Sequence, residues 1–147
     1  MILDVLSIVS IGLLLGTEFA VSAFINPILA KLEPAAEAHA TSLFAQKLGK
    51  MMPFWYGLNL LLLIIEAVIH LHDSGLPWFA LAPILWTAVI VFTVLVLVPI
   101  NNRISAMSPN SYSAELRQEH NRWDTLHRWR VLVLSVAMIA LLIGIHV

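Results

Sequence analysis

Residues 98–130, VPINNRISAMSPNSYSAELRQEHNRWDTLHRWR, decide how the rest of the chain is read. They hold five of the eight Lys and Arg residues and two of the six His, yet hydrocarbon flanks them on both sides. Working outward, apolar segments occupy residues 78–100 and 129–147, and two more occupy 2–30 and 53–70. Each is close to the ~20 residues that cross a ~30 Å hydrocarbon core as a helix. Backbone groups in lipid must bond internally, so helices are the expected form. Composition agrees: 147 residues, 60% hydrophobic, 12% charged, mean hydropathy +0.89. A soluble domain of this size would leave much of that surface in water. The expected fold is all-α, one transmembrane four-helix bundle over residues 1–147.

Orientation follows from the cations. Lys31, Lys47 and Lys50 lie between the first two spans, and Arg103, Arg117, Arg122, Arg128 and Arg130 between or beside the last two. The positive-inside rule then puts both long connections in the cytoplasm and both termini outside the cell membrane. The first segment lacks a cationic start and Glu18 interrupts it, so it reads as a retained span. Both connections read as partly helical. Phe44, Leu48 and Met51 at i, i+4 and i+7 form one stripe, predicting a short cytoplasmic amphipathic helix at headgroup level. Ser108-Pro109-Asn110 predicts a turn, and Ser113 a cap for a long fourth helix.

Net charge -1, with no basic helix, argues against nucleic acid as a partner. The lack of cysteine removes disulfides and thiolate metal sites. Membrane lipid and a hydrophobic small molecule are the expected partners, and a homo-oligomer is compatible with so small a bundle.

Intramembrane ionisable groups need a reason, because burying one in hydrocarbon costs ~2.5–3.5 kcal/mol on insertion scales. Glu18 lies ~12 Å deeper than Asn26 along its helix, and Asn59 ~9 Å beyond Pro53. With Ser135 they offer polar groups at one level. Glu18 is either a catalytic carboxyl or a structural one paired with Arg130. His120, Asp124 and His127, at i, i+4 and i+7, share a helix face. They are candidate ligands for a transition metal, or a base with Asp124 orienting His127. The face also reads as an ordinary solvated one. Arg103 and Arg130 are candidates for an anionic group or for lipid phosphate, and Asn101 and Asn102 for ligand hydrogen bonds or a helix end. Trp55, Trp123 and Trp129 suit an interfacial belt, and Trp123 also a pocket wall. At the other end Glu66 and His70 stand one turn apart with His72 and Asp73 following, which reads as a Glu–His hydrogen bond closing the helix.

GTEFAVSAFINPILAKL, MMPFWYGLNL, VPINNRISAMSP and RWDTLHRWRVLVL, in that order, resemble the anthrone oxygenase-like family of small four-span membrane proteins. The likeness covers nearly the whole chain, and VPINNR and WDTLHRWR are its most specific parts. It implies an oxygenase activity, since members associated with aromatic polyketide pathways are implicated in oxidising anthrones to anthraquinones with molecular oxygen. It carries Glu18, Asn26, Asn101, Asn102, Arg103, Trp123, Asp124, His127 and Arg130 as motif positions. The cofactor stays open between a transition metal and none. On this reading His127, oriented by Asp124, removes the acidic proton, and Arg130 or Arg103 stabilises the enolate. The alternative is a carrier, ligand-binding or scaffold subunit. A transporter would be expected to show repeats or paired breaks, and the one legible break is at Asn26-Pro27.

Overall fold

The computed structural model describes residues 1–106 and 114–147, so the Ser108-Pro109-Asn110 turn and the Ser113 cap lie outside the described residues. Four helices carry the rest: α1 (Ile2–Leu29), α2 (Pro34–Ile69), α3 (Leu76–Ile104) and α4 (Ala114–His146). All four are long and apolar enough to cross a membrane, and no strand occurs among the described residues. The protein is a multi-pass membrane four-helix bundle.

The packing follows side-chain size. Ile11 and Leu14 of α1, Leu63 of α2, Phe79 and Trp86 of α3, and Leu134 and Leu141 of α4 fill the core. Ala82, Ala137 and Ala140 let α3 and α4 approach closely, which matters where lipid removes the hydrophobic drive to associate. At the turn into α3, a Cβ on Gly75 would stand 2.4 Å from the carbonyl oxygen of Gly144, so only glycine fits. Large side chains such as Leu13, Phe54, Leu95 and Trp129 point outward, as lipid permits.

Two helices differ from expectation. The amphipathic segment is not a separate helix. It runs straight through Pro53 into span two, making α2 a single helix of 36 residues, ~54 Å long. α4, with 33 residues, extends similarly, and both extensions stand at the cation-rich end. Asn26-Pro27 does not interrupt α1 either. A π-helical turn at Val21–Ile25 precedes it, and a second, at Thr93–Leu97, precedes Pro99 in α3. A proline ring collides with the carbonyl four residues back, here Ala23 and Leu95, and one extra residue in the turn relieves the collision. The described residues thus carry two such devices where the sequence displayed one.

Candidate functional site

Between the main core and a smaller one (Ala45, Ile100 and Ile104) lies a cavity of about 280 Å³. Both π-turns wall it, through Val21, Ile25, Thr93, Val94 and Leu97. Phe44 and Leu48, the stripe expected at the headgroups, form another wall. Pro53 and Gly57 of α2 and Val94 and Val98 of α3 are exposed rim residues, so the cavity opens sideways between these helices.

At its deep end four helices contribute to one polar cluster. Glu18 is buried; its Oε1 accepts from the Tyr56 hydroxyl at 2.8 Å and its Oε2 from Arg130 Nη2 at 2.5 Å. Arg130 Nη2 also donates to His127 Nδ1 at 2.8 Å. A guanidinium cannot accept, so Nδ1 is the bare nitrogen and the proton sits on Nε2. That Nε2–H donates to the Glu18 carbonyl at 3.0 Å. Arg130 Nη1 reaches Thr93 Oγ1 at 3.4 Å, and the guanidinium lies 5.6 Å from the Tyr56 ring centre. The result is one carboxylate compensated by one guanidinium, with His127 held in a single tautomer and ring orientation.

One to two turns earlier on α4 the surface changes character. Trp123 stacks against His127 at 4.7 Å and lies parallel to His120 at 6.2 Å. Among the described residues six buried side-chain atoms have no hydrogen-bond partner within the protein. Four belong to cavity-lining residues: Thr41 Oγ1, His120 Nδ1, Trp123 Nε1 and Arg130 Nε. Asn26 and Asn101 also line the cavity. The Asn26 amide donates to Asp124 Oδ1 at 2.6 Å, and the Asn101 amide to the Ala45 carbonyl at 3.4 Å.

Several expected partnerships are rearranged. Asp124 does not orient His127; it faces Asn26 and Arg128, whose Nε lies 3.0 Å from Oδ2. His120, Asp124 and His127 share a face but do not converge as ligands, because Asp124 is turned away and both His127 nitrogens are engaged. Asn59 lies outside the cavity, where its Oδ1 accepts from Ser10 Oγ at 2.6 Å. Ser135 bonds back to the Val131 carbonyl of its own helix. Arg103 is exposed and held by both carboxylate oxygens of Glu119, and Asn102 is exposed as well; neither lines the cavity. Trp55 turns its Nε1 inward, donating to Ser10 Oγ at 3.2 Å. No pattern in the sequence singles out Tyr56. It stands one turn before Asn59, and a depth argument good to one turn cannot separate them.

Residues 41–140 match the family model for anthrone oxygenase. The chain belongs to the anthrone oxygenase family. No curated protein and no solved structure matches it. The anthrone oxygenase match takes in Tyr56, Asn101, His120, Trp123, His127 and Arg130, so most of the cavity lies within it, while Glu18 and Asn26 precede it.

Proposed function

We propose that this anthrone oxygenase-family protein draws a flat, lipid-soluble aromatic ketone from the bilayer and oxidises its activated CH₂ to a carbonyl with molecular oxygen. The observation that carries the reading is the set of four unpartnered polar atoms on residues lining a largely apolar cavity. Each such buried atom costs roughly 1–3 kcal/mol unless something bonds it. A ligand with oxygen acceptors and one acidic proton recovers that loss. An anthrone has this pattern, a ketone across the central ring from a CH₂ flanked by two aromatic rings. The sideways opening between α2 and α3 suits entry from lipid.

His120 takes the role of base, because its Nδ1 has no partner, whereas both His127 nitrogens are occupied. Trp123, one turn on at ~4.5 Å rise, offers an unpartnered N–H to the ketone oxygen as charge develops there. Arg130, fixed by Glu18 and His127, adds a buried positive charge deeper in the cavity. Asn26 and Asn101 set the polar edge. The enolate transfers electrons to oxygen, and a C–O bond forms at the former CH₂ carbon to give a peroxide. Loss of water, with the second CH₂ hydrogen, leaves the new carbonyl. Anthrone plus O₂ gives anthraquinone plus water. The cation-rich end faces the cytoplasm on this reading, with both termini outside.

His120→Ala tests it. With anthrone supplied in nanodiscs, turnover falls about 10²–10⁴-fold, the contribution of a positioned base, while the ligand still binds. Unchanged turnover removes His120 from the scheme. Binding without oxygen consumption in the unmodified protein favours a ligand-holding role instead.

A further inference from the structure

At the end of the bundle away from the cavity stands a second group of polar side chains that the oxidation scheme does not use. Glu66 of α2 is completely buried, at 0% exposure. Ser7 Oγ of α1 donates to its Oε1 at 2.8 Å, but Oε2 has no hydrogen-bond partner. That Oε2 faces His70 Nε2 at 3.6 Å, too long for the hydrogen bond that the i, i+4 spacing suggested. The His70 ring bonds elsewhere. Its Nδ1 lies 2.6 Å from Asp73 Oδ2, and because a carboxylate only accepts, Nδ1 carries the proton. In the neutral ring Nε2 is then a bare lone pair pointed at a bare carboxylate oxygen. Something positive belongs between them.

Asp4 completes the set. One donor atom each from Asp4, Glu66 and His70 lies within 4.8 Å of the others. The His70 ring is fixed by parallel stacking on Phe79 at 4.2 Å. The Met1 amino group also approaches Asp4 Oδ2, at 2.9 Å.

We propose that Asp4, Glu66 and His70 bind a divalent transition-metal cation of the zinc type, joining the start of α1 to the end of α2. One imidazole and two carboxylates form a ligand set that such ions accept, with positions left for water. The Asp73–His70 contact is the carboxylate–imidazole relay that orients a metal-bound histidine and raises its basicity. A tetrahedral zinc with bonds of ~2.0–2.1 Å spaces its ligands ~3.4 Å apart. The His70–Glu66 pair, at 3.6 Å, already has that spacing, and Asp4, within 4.8 Å of both, needs to close by no more than ~1.4 Å. Asp4 stands ~21 Å from Glu18 along α1, so the site is separate from the cavity and independent of the oxidation scheme.

The test is calorimetric titration of zinc into the full-length protein, purified in detergent and stripped with chelator, with cobalt(II) absorption as a second readout. The expected result is one zinc per chain, with binding lost in His70→Ala and at least tenfold weaker in Glu66→Gln. Asp73→Asn, which removes only the relay, weakens it about 10–100-fold. Asp4→Asn, on a partly exposed side chain, replaces Glu66→Gln should that variant fold poorly, with the same tenfold loss. No zinc uptake by the unmodified protein would mean that a protonated His70 alone neutralises Glu66, and would overturn the proposal. Undiminished affinity in both His70→Ala and Glu66→Gln would overturn it too.

Discussion

Replacing Glu18 by Gln probes the cluster that fixes the deep end of the cavity. Both Glu18 oxygens are acceptors, one for Tyr56 and one for Arg130. A glutamine keeps its oxygen for Arg130 and turns its NH₂ to the Tyr56 oxygen, which accepts as readily as it donates, so what is lost is chiefly the charge. That leaves the Arg130 guanidinium, 8% exposed, without its counter-charge. Breaking a buried ion pair from one side costs about 3–5 kcal/mol, whereas removing both charges is often neutral or stabilising. The single variant should therefore lose on the order of 10 °C in its unfolding midpoint. The double variant Glu18→Leu with Arg130→Met should recover most of that loss. Thermal unfolding in one detergent, followed by tryptophan fluorescence, measures both. A Glu18→Gln protein as stable as the parent would refute the pairing, as would a double variant less stable than the single.

Other outcomes follow from the same geometry. Gly57 lines the cavity and a Cβ there meets nothing within 4 Å, so Gly57→Leu should block ligand entry without loss of stability. Gly57→Ala alone should stabilise α2 by about 0.5–1 kcal/mol, read from the unfolding midpoint. Gly75→Ala drives a Cβ to 2.4 Å from the Gly144 carbonyl and should cost about 2 kcal/mol or more, visible as a lowered midpoint. Arg103→Ala breaks an exposed pair with Glu119, so stability should shift by no more than about 1 kcal/mol and turnover should hold.

Hydropathy was enough to find four spans, because lipid constrains length and composition more tightly than sequence detail. The extension of the fourth helix was legible from the helical pattern ahead of its span. Polar groups inside the spans were also visible, and the Glu18–Arg130 pair was one of the two readings open for Glu18. What periodicity cannot supply is the rotation and depth of one helix against another. His120, Asp124 and His127 do share a face, but that face is wide enough for Asp124 to turn to Asn26 while His127 turns to Glu18. Asn59 and Tyr56 differ by one turn, and that turn decides which of them meets Glu18. Arg103 was taken by Glu119, sixteen residues on, across a connection whose path the sequence does not encode locally. The π-turns were half legible. Four prolines sit within apolar spans, yet only Pro27 and Pro99 follow a widened turn, while Pro53 and Pro83 lie in regular helix.

The most direct measurement is oxygen uptake by the purified protein in nanodiscs supplied with anthrone, with anthraquinone followed by absorbance in the same cell. The account predicts one O₂ consumed per anthraquinone formed, at a rate that Gly57→Leu abolishes and His120→Ala lowers about 10²–10⁴-fold. A rate no greater than that of protein-free nanodiscs, or one that both variants leave untouched, would contradict it.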